Sequence, residues 1–261
     1  MKTLILAAAA IAAADTHAST PDAARAAIAK AWQQYRHGVQ NEQELVEVHV
    51  TQDGVALPAK LLWRRVRYSE QGQHLSIKFL EPVTDYGLGL LVERNINGAD
   101  QVWLRQPSWT SARKIAGNRE TKYFADTAFT FEDTKQLVAE QTSQFDYRYA
   151  SQSGGTAVIS ATPKPCTTSG YGRRDISLNA QGTPVRIDYF DADGQPLKTL
   201  RFEELHYPAP GRWRADRIVL KQARDGSQST LKVRKRQFNM ALGERMFSLP
   251  YLLENDSAKV E

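Results

Sequence analysis

From Glu44 almost to its end the chain is written in period two, and that periodicity constrains the fold more than anything else in it. Leu45 to Gln52 alternates, with Val46, Val48 and Val50 on one side, and similar short runs recur downstream. Turn-forming clusters separate them: Ser153-Gly154-Gly155, Ala180-Gln181-Gly182, Asp191-Ala192-Asp193-Gly194, Ala209-Pro210-Gly211, Asp225-Gly226, and Asn97-Gly98 in a hairpin turn. Only two stretches carry helical spacing. Residues 21–36 place Ala23, Ala24, Ala27, Ile28, Ala31, Trp32 and Tyr35 at helical spacing, and Phe129 to Ala139 places Phe131, Leu137 and Val138 together. This is a meander of antiparallel strands with two helices inserted, not a βαβ alternation. Such a sheet has a large apolar face and few helices to cover it. It either closes on itself or keeps a partly hollow, lipid-sized pocket.

The N-terminus reads as an export signal. Lys2 precedes an Ala/Leu/Ile run from Leu4 to Ala14, too short to span a bilayer, and Thr16-His17-Ala18 offers small residues for cleavage before Ser19. Residues 1–18 are therefore expected to be a cleaved signal peptide and 19–261 a single domain. No cysteine follows the apolar run, so a lipoprotein anchor is not expected. The chain has one cysteine, Cys166, which excludes an internal disulfide and a cysteine-based zinc site.

Lys and Arg number 34 against 29 Asp and Glu. The excess concentrates in Arg64-Arg65-Val66-Arg67 and Lys232-Val233-Arg234-Lys235-Arg236, both in strand-like runs. Strict alternation puts Lys232, Arg234 and Arg236 on one face. Two readings stay open for Arg64, Arg65, Arg67, Lys232, Arg234 and Arg236: a solvated face that resists strand pairing, or contact with anionic headgroups or an acidic partner. Export argues against nucleic acid as that partner.

Catalytic signatures are missing. His17, His37, His49, His74 and His206 form no H-E-x-x-H, and G-x-S-x-G does not occur. Gly87-Leu88-Gly89 lacks a third glycine and a βαβ setting. Asp191-Ala192-Asp193-Gly194 imitates the start of a calcium loop but reads as a hairpin turn. No catalytic residue, metal or cofactor is expected, and weight shifts from a secreted hydrolase toward binding.

The ordered series of motifs is more specific. Phe79-Leu80-Glu81-Pro82-Val83-Thr84-Asp85-Tyr86-Gly87, Asp100-Gln101-Val102-Trp103-Leu104-Arg105-Gln106-Pro107, Arg113-Lys114-Ile115 and Phe129-Thr130-Phe131-Glu132-Asp133 come in that order. Pro163-Lys164, Tyr171, Asp188 to Gly194, Trp213 and Phe247 continue it. Over roughly residues 40 to 253 the chain resembles the LolA-like family of outer-membrane lipoprotein-sorting proteins. A glycine usual in that family before the Phe-Thr-Phe-Glu-Asp stretch is replaced around Ala125-Asp126.

The resemblance implies an α+β, mainly β fold: one strongly curved antiparallel half-barrel of about 11 strands, with an N-terminal helix and an inserted helix covering the concave face. It implies a periplasmic, non-enzymatic carrier that shields the acyl chains of a lipid or lipoprotein on the way to the outer membrane; a monomer is expected, with an inner-membrane exporter as a candidate partner. Alternation nominates Leu61, Trp63, Phe79, Leu88, Leu90, Trp103, Phe124, Phe129 and Phe131 for the cavity wall. The alternative is an envelope protein-binding module, either a stress sensor or an accessory subunit of an exporter.

Overall fold

The computed structural model describes residues 20–95 and 99–256; the expected signal peptide and the Asn97-Gly98 turn lie outside the described residues. Helix α1 (Pro21–Arg36) starts where Thr20 Oγ1 accepts from the Ala23 amide at 3.2 Å, with Pro21 in its first turn, and it buries Ala24, Ile28, Ala31, Trp32 and Tyr35. The bounds are those expected; of the expected face, Ala23 is exposed and Ala27 only half-buried.

The strands are β1 (Asn41–Gln52), β2 (Val55–Ala56), β3 (Lys60–Tyr68), β4 (Gly72–Glu81), β5 (Gly89–Asn95), β6 (Gln101–Arg105) and β7 (Arg113–Ile115), followed by β8 (Phe145–Ser153), β9 (Thr156–Pro163), β10 (Arg173–Leu178), β11 (Pro184–Phe190), β12 (Pro196–Ala209), β13 (Arg212–Gln222) and β14 (Gln228–Phe238). They form one antiparallel sheet of 14 strands, ordered β7-β6-β5-β4-β3-β1-β14-β13-β12-β11-β10-β9-β8, with β2 beside β1. The pairing of β1 with β14 joins the two halves of the chain at the middle of the sheet. The count exceeds the expected 11 partly because β2 is a two-residue return, too short to show a period.

The sheet stays open between β7 and β8. Here the chain leaves it for α2 (Phe131–Gln136), shorter than the expected Phe129 to Ala139. The reason is local: Thr130 accepts from the Asp133 amide while Asp133 accepts from the Thr130 amide, a reciprocal cap that fixes the start two residues late.

Curvature follows from what the sheet lines. β4 and β12 are five strand spacings apart in the sheet order, about 24 Å if flat, yet Ile77 and Phe202 border the same cavity. Two apolar clusters fill the inner face. One joins α1 to β8–β13 through Trp32, Tyr35, Phe202 and Trp213; the other joins β1 and β3–β6 to Phe124, Phe131 and Val138. The outer face carries smaller groups, Leu45-Trp63-Leu80 and Leu91-Phe247-Leu252.

A C-terminal strap crosses that outer face and holds α3 (Leu249–Leu253), which the period-two reading did not anticipate. The buried Lys78 ammonium donates to the carbonyls of Tyr251 (2.9 Å), Leu252 (3.1 Å) and Glu254, where the helix presents its negative end. Burial, opposed by the Asp256 carboxylate, pushes this lysine down to about 8. Arg65 adds bonds to Tyr251 Oη (3.1 Å) and Asp256 (2.9 Å).

Trp213 joins α1 to the sheet: it is 1% exposed, packs 4.8 Å from Tyr35 and 5.6 Å from Trp32 between ring centroids, and donates to the Ala31 carbonyl at 2.9 Å. Trp213→Ala is expected to cost about 3–5 kcal/mol, read from urea unfolding. A cost under about 1 kcal/mol would contradict this role.

Candidate functional site

Under α1 and α2 the inner face leaves a narrow apolar cavity of about 80 Å³. Val46 and Val48 of β1, Leu62 of β3, Leu75, Ile77 and Phe79 of β4, and Leu231 and Val233 of β14 form its floor. Its far wall is Phe202, Trp213, Ala215 and Ile218, and its roof is Trp32, Tyr35, Phe124, Phe129 and Leu137. Alternation explains the floor, because residues two apart point to one side of a strand.

One end of this cavity is charged. Glu42 and Glu44 lie on the same side of β1 as Val46, and both are buried. Arg214 grips Glu42 with two bonds, at 2.8 and 2.9 Å. Arg236 Nε reaches Glu44 at 2.7 Å and Glu42 at 3.0 Å, and Arg64 reaches Glu44 at 2.6 Å. Burial and the neighbouring Glu44 push the Glu42 carboxyl up. Burial also raises Glu44, but the guanidiniums of Arg64 and Arg236 outweigh it and hold Glu44 at about 2.

The same arginines fasten the cover. Arg214 Nη1 donates to the Tyr35 carbonyl of α1 at 2.6 Å, and Arg64 Nη2 donates to the Leu137 carbonyl behind α2 at 3.2 Å. Arg94 donates to the carbonyls of Lys135 (2.8 Å) and Ala139. At the other end of α2, Asp133 takes the buried Lys198 ammonium at 2.5 Å and the Tyr171 hydroxyl at 2.8 Å. Glu132 accepts from Ser169 Oγ (2.6 Å) and the Gly170 amide (2.8 Å); burial dominates these bonds and raises its pKa. The cover over the cavity is thus held by polar contacts at its two ends and apolar contact between them.

The segment leading into α2 has an unusual backbone. Ala125 and Asp126 both adopt left-handed conformations, with φ of 56° and 54°. That region disfavours residues with a Cβ, so a chain with glycine there would adopt it at lower cost. The turn persists here without glycine. On its other side lies a larger, polar cleft of about 850 Å³, with Thr127 lining both spaces.

The nominated residues divide by face. Phe79, Phe124 and Phe129 line the cavity. Leu88, Leu90 and Phe131 belong to the inner apolar cluster but sit away from the cavity wall. Leu61, Trp63 and Trp103 are corrections: they pack on the outer face, with Leu45 and Leu80 or with Leu91 and Phe247. The basic residues divide too. Arg64 and Arg236 line the cavity, Arg65 lies beneath the strap, and Arg67 pairs with Glu244 at 2.8 Å. Lys232 and Arg234 are exposed on the outer side, where Arg234 pairs with Glu47.

The expectation that Lys232, Arg234 and Arg236 share a face fails at a bulge. Between Leu45 and Val46 the partners step from Lys235 to Val233, so Arg234 is the extra residue and Arg236 turns inward. Sequence reasoning misses Trp32, Tyr35, Phe202 and Trp213 as cavity residues. Their signal is present, since α1 has one apolar face and β12 and β13 alternate.

Comparison with known proteins supplies the context. A family profile described as an uncharacterized protein matches residues 71–254. A search of curated proteins finds no match. Among solved structures, one titled as an outer membrane lipoprotein-sorting protein domain, from Vibrio parahaemolyticus, superposes with a TM-score of 0.81 at 20% identity, covering 90% of this chain and 100% of that one. A DUF1329 family protein from Desulfovibrio piger gives 0.76 at 18% identity, covering 88% and 98%. A LolA superfamily protein from Nitrosomonas europaea gives 0.65 at 17% identity, covering 87% and 98%. The fold expected from the motif series is the fold observed.

The depressed Glu44 pKa makes a signed prediction. Its stabilising contribution is complete above the ordinary 4.5 and is lost as pH falls toward about 2. Glu44→Gln should therefore flatten the acid limb of stability by roughly 3 kcal/mol, measured as urea midpoints between about pH 5 and pH 2.5. An unchanged acid limb in the variant would remove Glu44 from this role.

Proposed function

We propose, from the premise that this chain belongs to the family whose profile spans residues 71–254 and has the LolA-like fold, that it is a periplasmic carrier shielding acyl chains of a lipid or lipoprotein in transit toward the outer membrane. Residues 1–18 would direct export, and the single LolA-like domain from residue 19 would do the carrying without catalysis. The observation that carries this reading is the apolar cavity beneath a fastened cover.

The physics supports capture and release. Each methylene moved out of water contributes about 0.8 kcal/mol, so a long chain gains several kcal/mol by entering. The free cavity, at about 80 Å³, is well under the roughly 300–1,000 Å³ of a ligand pocket. A chain enters by moving side chains and lifting the cover. Lifting it breaks a few charge-assisted hydrogen bonds, each worth about 1.5–3 kcal/mol net, a cost that a long acyl chain of about a dozen methylenes can offset.

Phe79, Phe124 and Phe129, together with Trp32 and Trp213, are the acyl contacts in this reading. Lys232 and Arg234 remain as outward contacts for a headgroup or an inner-membrane exporter.

Trp32 and Trp213 on the cavity wall provide an intrinsic probe. Titration with a long-chain fatty acid should shift tryptophan emission, and native mass spectrometry of protein from a Gram-negative envelope should show bound lipid. Val233→Trp, which fills the floor, should weaken uptake by about tenfold or more, equivalent to about 1.4 kcal/mol, while the far-ultraviolet dichroism stays native. A clean apo mass with no emission change at saturating lipid would sink the carrier reading.

A further inference from the structure

We infer that the polar cleft beside the cavity is a headgroup site for an uncharged, polyhydroxylated group, a sugar carried on an acyl chain. The inference rests on the reading of the inner cavity as an acyl site. The two spaces meet at one wall: Ala125 and Thr127 line the cavity, while Asp126, Thr127 and Ala128 line the cleft. An amphiphile lying across this wall would place its chain on one side and its head on the other.

The cleft's chemistry selects the head. Its volume of about 850 Å³ accommodates more than a single carboxylate or amine. Gln52 at the end of β1, Gln195 before β12, Gln222 at the end of β13 and Gln228 at the start of β14 converge on it. The side chains of Gln52 and Gln195 are exposed and make no hydrogen bond among the described residues. An amide carries donors and an acceptor together, which matches a hydroxyl that also does both.

The Tyr123 ring, 57% exposed, stands at the cleft, and its hydroxyl donates to Gln222 Oε1 at 3.2 Å. That bond leaves the Gln222 amino group for a ligand, beside a flat aromatic face suited to the C–H side of a sugar ring.

Charge argues the same way. Two acids, Asp126 and Asp225, and two bases, Lys198 and Arg224, line the cleft, so its formal charge is balanced. Lys198 is already held by Asp133 at 2.5 Å. A phosphate or carboxylate would instead call for a surplus of cations. A peptide would be read best along a free strand edge, whereas strand ends and turns bound this cleft.

The test uses the full mature chain and tryptophan emission. Dodecyl maltoside, below its micelle concentration, is titrated in parallel with dodecanoic acid. The double variant Gln222→Ala, Gln228→Ala and the single variant Tyr123→Ala are compared with the parent. The expected result is an affinity loss of about tenfold for the maltoside, the worth of one or two hydrogen bonds, with dodecanoic acid binding unchanged.

Equal losses for both ligands, or none for either, would overturn the headgroup site while leaving the acyl cavity standing. So would an acylated dipeptide that binds more tightly than the maltoside and is weakened by the same substitutions, since the head would then be peptide. No response to any amphiphile would remove both the headgroup site and the carrier reading.

Discussion

A sheet that curls without closing has an inner face it cannot bury by itself. Between β7 and β8 the ladder ends, and everything else in the structure answers that gap. Helix α1 covers one side with Ile28, Trp32 and Tyr35, and the inserted segment covers the other with Phe124, Phe129 and Phe131. The inserted piece could not stand alone: α2 has only six residues, far below the length at which an isolated helix persists in water. Its order comes from the sheet it covers, and the sheet's apolar face is dry only because the two covering pieces are there.

Polar side chains, not further apolar packing, fix where the cover sits. Arg64, Arg94 and Arg214 rise from the sheet to carbonyls on the covering pieces, and Lys198 meets Asp133 at the capped start of α2. Such contacts are directional, so they define one position, each at a net worth of about 1.5–3 kcal/mol. The outer strap uses the same device with Lys78 and the last carbonyls of α3.

Much of this is legible in the amino-acid order alone. The bounds of α1 and the strand-turn rhythm follow from periodicity and turn chemistry, and the motif series from Phe79 to Phe247 points to the fold. What is not legible depends on parity. A single extra residue in the ladder, Arg234, reverses which of its neighbours face inward, and no composition signal marks it. Trp63 and Trp103 read as cavity aromatics because a large apolar side chain looks alike on either face of a strand. They pack outside because the outer face is partly covered too. Glu42 and Glu44 read as ordinary strand polars, since their partners Arg214 and Arg236 lie 172 and 192 residues away.

The parity change at the bulge also sorts the charges by their response to salt. Arg236 has its counter-ions at contact distance inside the protein, where mobile ions do not reach. Lys232 faces solvent, as does Arg234 with its partner Glu47, and there about 0.15 M salt screens beyond roughly 8 Å. Ionic strength therefore acts as a dial on the outer face alone. Attraction between that face and any oppositely charged surface weakens as it is turned up, and the buried charges at the cavity end do not register the change.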